Sequence, residues 1–139
     1  MQYRNLGQSN LKVSALCLGT MMFGDQTPTD EAGAIVADAR AQGVNYIDTA
    51  DVYTKGASET MVGELLRGQR HHWVLATKLG NPMSDRVNEA HYSRSWMLRE
   101  VEASLGRLQT DHVDILYLHR DYNGMNLEEP LRALVAEWR

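Results

Sequence analysis

The 139-residue chain contains one cysteine, Cys17. That excludes an internal disulfide and a zinc site built on cysteine pairs. A reducing cytoplasm is the expected compartment. Cys17 lies in the apolar run SALCLGT and is expected as a buried, inert thiol. No apolar run approaches the roughly 18 residues a membrane helix needs, and the polar N-terminus MQYRNLGQSN has no signal-peptide core. No membrane partner is expected. Lys and Arg form no run and number 14 against 18 Asp and Glu, for a net charge of −4. A nucleic-acid partner is not expected either. The segment GTMMFG has two glycines but no G-x-G-x-x-G, and Asp25 stands where a P-loop would continue with Lys.

What is present is an ordinary globular composition, 43% hydrophobic and 23% charged, with enough length for one domain and a core. The strands QYRNL and KVSAL flank the turn formers GQSN, which predicts a hairpin over residues 1–15. From residue 15 to 139 a βα rhythm runs four times. The predicted strands are SALCLGT, VNYIDTA, HWVLATK and HVDILYLH. The predicted helices are TDEAGAIVADARAQG, SETMVGELLRG, SRSWMLREVEASLGRLQ and LEEPLRALVAEWR, with Thr29 and Ser58 as N-caps of the first two. Such alternation predicts parallel strands joined by helical crossovers. The near-continuous apolar strands predict a sheet buried on both faces.

The tail of DILYLHRDYNGMN fits H-R-D-x-x-x-x-N, the spelling of a protein-kinase catalytic loop. The remaining kinase signatures are missing, and the residues before His119 read as a strand. The match is therefore read as chance.

The strand ends carry more weight. Strand one ends at Gly19-Thr20, strand two at Asp48, strand three at Lys78 and strand four at His119. The C-terminal ends of parallel strands share one rim, where βα barrels build their active sites. Tyr53 follows Asp48 by five positions, in the loop over that rim. Taken singly, each residue has a plainer reading. Asp48 can be a turn residue, Tyr53 a packing aromatic, Lys78 a solvated strand end, and His119 a satisfied, partly buried imidazole. Their convergence outweighs these readings, because buried ionisable groups are costly unless paired. A phenol titrates near pH ~10, and a neighbouring ammonium favours its phenolate. Asp48 would hold Lys78, and His119 would hydrogen-bond a carbonyl oxygen. This set can protonate an oxygen while hydride arrives at carbon. Side chains carry no hydride, so a nicotinamide cofactor is implied.

The stretches LGTMMFG, GVNYIDTADVYTKGASETMVGELL, VLATK and VDILYLHRD resemble the N-terminal half of an aldo-keto reductase, over essentially the whole chain. The resemblance implies an α/β fold: an N-terminal hairpin that caps the barrel bottom, then four βα units, about half of a (β/α)8 TIM barrel. It implies NADPH-dependent reduction of an aldehyde or ketone, a small-molecule carbonyl partner, and catalytic roles for Asp48, Tyr53, Lys78 and His119. Gly19, Thr20, Met21 and Asp48 would lie against the nicotinamide end of the cofactor. The HRD that follows the strand resembles the bacterial and potassium-channel-β-like branches. A slow or non-catalytic NADPH-binding regulatory subunit, or an inactive half-barrel fragment, are the alternatives.

A full barrel needs roughly 250 residues. The rest of the cofactor site is expected from a missing C-terminal half or from a second copy. Other motifs read plainly. His71-His72 is expected at the surface on the opposite rim, with no metal. Met21, Met22 and Phe23 line a substrate pocket or simply pack, and Trp96 and Trp138 pack on amphipathic helices.

Overall fold

The computed structural model describes residues 1–122 and 124–137. Trp138 lies outside them. A hairpin of β1 (Tyr3–Asn5) and β2 (Lys12–Ser14) precedes a parallel sheet. The sheet runs in the order β3 (Leu18–Gly19), β4 (Tyr46–Asp48), β5 (Val74–Leu79), β6 (Ile115–Leu118). The connecting helices are α1 (Thr29–Ala41), α2 (Ala57–Leu66) and α3 (Arg94–Leu108), and α4 (Glu128–Glu137) follows β6. Sequential strands are spatial neighbours throughout, as right-handed βα crossovers produce.

The helices pack in sequence, α1 on α2, α2 on α3 and α3 on α4. They cover one face of the sheet. Alternate strand residues, Ile47 and Leu75 among them, point to this layer and join Ala32, Val36, Val62, Leu66, Trp73 and Leu108 in the main core. Each buried Val, Leu or Ile side chain among them contributes on the order of 1.5–3 kcal/mol. A second cluster, beneath the C-terminal half of the sheet, joins Leu79 to Tyr92, Met97, Val101 and Ala133. Trp96 is buried, as expected.

The expectation that both faces are buried does not hold. Tyr46 and Asp48 are half-buried, Gly19 is exposed, and Tyr117 is 37% exposed. One layer of helices covers only one set of alternating positions. Cys17 falls on the open side and is exposed, not buried. The partial desolvation it does undergo, and then the Asp48 charge, push its thiol up to about 11, so it is a poor nucleophile all the same.

Two helix starts also differ from expectation. Pro28, not Thr29, caps α1, without a side-chain bond, and Asp30 and Glu31 complement the first turn. Gly56, at φ 90, caps α2, and Ser58 lies inside the helix with its hydroxyl turned to the sheet. Ser93 does cap α3, accepting from Trp96 N. The hairpin is fastened to the start of β4. Asn45 Oδ1 accepts from Ser14 N at 2.7 Å, and Tyr3 donates to Gly43 O at 2.7 Å. It therefore sits at the opposite end of β4 from Asp48. Where α2 crosses α3, a Cβ on Gly63 would stand 2.5 Å from Leu108 O. Only glycine permits that approach. Among the described residues no helix is long and apolar enough to cross a membrane.

Candidate active site

The strand ends are brought together by backbone hydrogen bonds that continue past the sheet. Thr20 N donates to Asp48 O, Thr49 N to Ala76 O, Asp51 N to Lys78 O, each at 3.0 Å, and His119 N to Leu79 O at 2.9 Å. The rim residues are thus anchored as extensions of the ladder. The register places Gly19 beside Asp48 and Lys78 beside Tyr117.

Lys78 is the hub. Its ammonium donates to Asp48 Oδ2 at 2.6 Å, to Thr49 O at 2.7 Å and to Tyr53 Oη at 3.0 Å. All three N–H donors of an ammonium are thereby engaged. Nζ also stands 4.6 Å from the Tyr53 ring centroid. The lysine and aspartate side chains are only 16% and 22% exposed. His119 meets the Tyr53 ring edge-on, with centroids 5.8 Å apart and planes at 86°. Burial, and then the Lys78 charge, hold the imidazole below its ordinary pKa, with Asp48 opposing. It is therefore neutral at pH 7. Its Nδ1 is buried without a partner among the described residues. Placing the single proton on Nε2 avoids an orphaned N–H there and puts the donor on the other side of the ring. The four residues Asp48, Tyr53, Lys78 and His119 form one constellation.

The turn that carries Tyr53 is strained. Tyr53–Gly56 is a single helical turn in which Thr54 and Lys55 have φ of 50 and 53. Left-handed backbone at two successive non-glycine residues is sparsely populated and costs energy. Thr54 Oγ1 donates to Phe23 O, Lys55 N donates to Val52 O, and Gly56 at φ 90 completes the bend.

Beneath the rim is a buried hydroxyl network. Ser58 Oγ lies 3.0 Å from both Thr20 Oγ1 and Thr49 Oγ1 and donates to Thr20 O at 2.8 Å. It ties the ends of β3 and β4 to α2. Thr20 N, O and Oγ1 are all engaged here, so of the expected cofactor contacts Thr20 has no free polar group. Gly19 and Met21 differ: Gly19 is exposed with nothing within 4 Å of a built Cβ, and Met21 is 56% exposed. Together with Asp48, whose other carboxylate oxygen makes no hydrogen bond among the described residues, they form an open shelf. No side chain would obstruct a flat ring such as a nicotinamide lying against Gly19. Phe23 packs in the core, and Met22 is exposed beside Met21.

Two tyrosines not singled out in the sequence tie the rim loops together. Tyr92 Oη donates to Arg120 O and accepts from Arg120 N, at 2.7 and 3.0 Å. Tyr122 Oη lies 2.9 Å from Gly80 O. The loops after β5 and β6 are thereby joined. Gly80, at φ 120, is needed because a Cβ would stand 2.0 Å from the Tyr92 ring. Asn126 accepts from Glu128 N at the start of α4, and the Arg120 guanidinium lies over the Tyr122 ring, so these two residues serve the loop and helix start. His71 and His72 stack on each other at the surface, beside the start of β5. No group of three or more His, Cys, Asp or Glu among the described residues could hold a metal ion.

Residues 15–136 match the Aldo/keto reductase family, and the chain belongs to that family. It is 40% identical over 140 residues to a probable voltage-gated potassium channel subunit beta of Arabidopsis thaliana, covering 96% of this chain and 42% of the relative. It is 38% identical to the uncharacterized oxidoreductase YqkF of Bacillus subtilis, covering 96% of this chain and 44% of the relative. Among solved structures, the holo form of aldo-keto reductase AKR11C1 from Bacillus halodurans superposes with a TM-score of 0.88 at 37% identity, over 98% of this chain and 46% of that one. A putative aldo-keto reductase of Pseudomonas aeruginosa gives 0.85 at 42% identity, over 96% of this chain and 54% of that one. The chain thus spans about half the length of the relatives it matches, and its fold is about half of their barrel.

Proposed function

We propose that this chain supplies the acid–base side of an NADPH-dependent carbonyl reductase. The observation that carries the reading is Lys78 Nζ, which bridges Asp48 Oδ2 and Tyr53 Oη at 2.6 and 3.0 Å with His119 beside the phenol. Tyr53 is the general acid, delivering its proton to the carbonyl oxygen of a small aldehyde or ketone. Lys78 stabilises the phenolate left behind, and Asp48 keeps the ammonium charged and in place. His119, neutral, donates a hydrogen bond to the same oxygen and sets its position. Bound NADPH supplies the hydride. Gly19, Met21 and Asp48 would hold the nicotinamide end, and residues outside this chain hold the remainder. The single cysteine fits a reducing compartment such as the cytoplasm.

The 40% identity to a potassium channel subunit beta favours a second reading, a cofactor-binding regulatory subunit with slow turnover. NADPH titration of the 139-residue chain by tryptophan fluorescence, followed by NADPH oxidation assays with a series of aldehydes, separates these. Binding with rapid oxidation supports the reductase. Tight binding with negligible oxidation supports the regulatory subunit. If the chain alone does not bind, the titration is repeated with the protein extended to the full length of its relatives, and failure there rejects both readings.

A further inference from the structure

Behind the Tyr53 turn lies a buried ionic cluster that the proton transfer does not use. Arg107 donates to Glu59 Oε2 at 2.7 Å, to Glu100 Oε1 at 2.5 Å and to Ser104 Oγ at 3.0 Å. Thr77 Oγ1 donates to the second Glu59 oxygen at 2.5 Å. Arg107 reaches this position across Gly56, where a Cβ would stand 2.8 Å from its Cδ. The cation therefore runs directly under the turn that bears Tyr53.

Asp51 is a third acid in this region, and it is 0% exposed. Oδ1 accepts from Val52 N at 2.6 Å, while Oδ2 is buried with no hydrogen-bond partner among the described residues. Its own N–H is tied to Lys78 O at 3.0 Å. Asp51 thus links the end of β5 to Val52, the residue that caps the Tyr53 turn. The charged and titratable groups that bear on it are Glu59 of α2, Glu100 and Arg107 of α3, and Tyr92 of the loop after β5. Arg107 is engaged by Glu59 and Glu100, so an ionised Asp51 would have a bare, buried oxygen and two acids as neighbours. Such a charge is expensive to hold.

We propose that Asp51 is a positioning residue for Tyr53: as a neutral acid it holds the Val52–Tyr53 turn over Lys78, and its ionisation loosens that turn and lowers turnover. The inference rests on the reading of Tyr53 as the general acid. Burial first, then Glu100, raise the Asp51 carboxyl to about 7, with the Val52 hydrogen bond and Arg107 opposing. Below about 7 the folded protein therefore holds a proton there that the unfolded chain releases near its ordinary value of 3.8. Between these values folding takes up a proton, so this contribution to stability is lost as pH rises.

The test compares wild type, Asp51→Asn and Asp51→Ala in the cofactor-loaded protein that shows carbonyl reduction. kcat and KM are measured on both sides of neutral pH, and urea unfolding midpoints from mildly acidic to mildly basic pH. In wild type kcat should step down to a lower plateau as pH rises through about 7, with KM little changed, while the unfolding midpoint should fall as pH rises from mildly acidic values and level off above about 7. Asp51→Asn keeps the acceptor for Val52 N without the proton. It should retain the low-pH turnover of wild type and lack both pH-dependent losses. Asp51→Ala should have a lower kcat at every pH. An Asp51→Asn profile that superimposes on wild type, or Asp51→Ala turnover equal to that of Asp51→Asn at low pH, overturns the proposal while leaving the reductase reading intact. Undiminished turnover in Tyr53→Phe overturns both.

Discussion

The Lys78 ammonium and the Asp48 carboxylate lie 2.6 Å apart at adjacent strand ends, each mostly withdrawn from water. The pair is a charge-assisted hydrogen bond that also aims the lysine at Tyr53. A hydrogen bond to a charged group is worth about 1.5–3 kcal/mol. Asp48→Asn should therefore lower kcat by roughly tenfold to a hundredfold, since 1.4 kcal/mol is tenfold. Steady-state kinetics with a good aldehyde check this. A change confined to KM would mean that Asp48 only assists binding.

The close crossing of α2 on α3 gives a prediction independent of catalysis. In Gly63→Ala the new methyl would meet Leu108 O at 2.5 Å. The helices must separate, at a cost of about 1–3 kcal/mol for overpacking. Alanine's better helix propensity returns roughly 1 kcal/mol at most. Urea denaturation should show a net loss of stability, with a lower midpoint than wild type.

His119 sets an acid-side dependence. Burial and Lys78 lower its pKa from 6.5, so the folded protein excludes a proton that the unfolded chain takes up. In the window just below 6.5 stability therefore falls as pH falls. His119→Gln should flatten the pH dependence of the unfolding midpoint in that window. On the proposed role of His119 it should also lower kcat across neutral pH, because a flexible glutamine amide does not hold an N–H where the imidazole holds Nε2–H. Comparing unfolding midpoints at mildly acidic and neutral pH for the two proteins tests the first part.

Much of this was legible in the sequence because parallel strands obey a simple rule. Their C-terminal ends share one rim, so Asp48, Lys78 and His119, each closing an apolar run, could be brought together without coordinates. The helix starts were less legible. Ser58 looked like a cap from its immediate neighbours, but its hydroxyl is claimed by Thr20, 38 positions away. A local pattern cannot anticipate a competing partner across the fold. The exposure of Cys17 depended on which face the helices cover, and apolar runs alone do not tell. The Arg107 cluster also has a signal in the sequence. Glu100, Ser104 and Arg107 interrupt, at spacings of four and three, the helical face that also carries Met97, Val101 and Leu108. Polar residues placed so on a buried face need partners, and Glu59 and Thr77 are those partners.

The most direct measurement is the turnover of Tyr53→Phe in the cofactor-loaded protein, with NADPH affinity determined alongside. The substitution keeps the ring against Lys78 and His119 and removes only the hydroxyl that lies 3.0 Å from Nζ. The expected result is a loss of about 10²–10⁴-fold in kcat, with NADPH affinity unchanged. Undiminished turnover would contradict it and move the proton donor to another group.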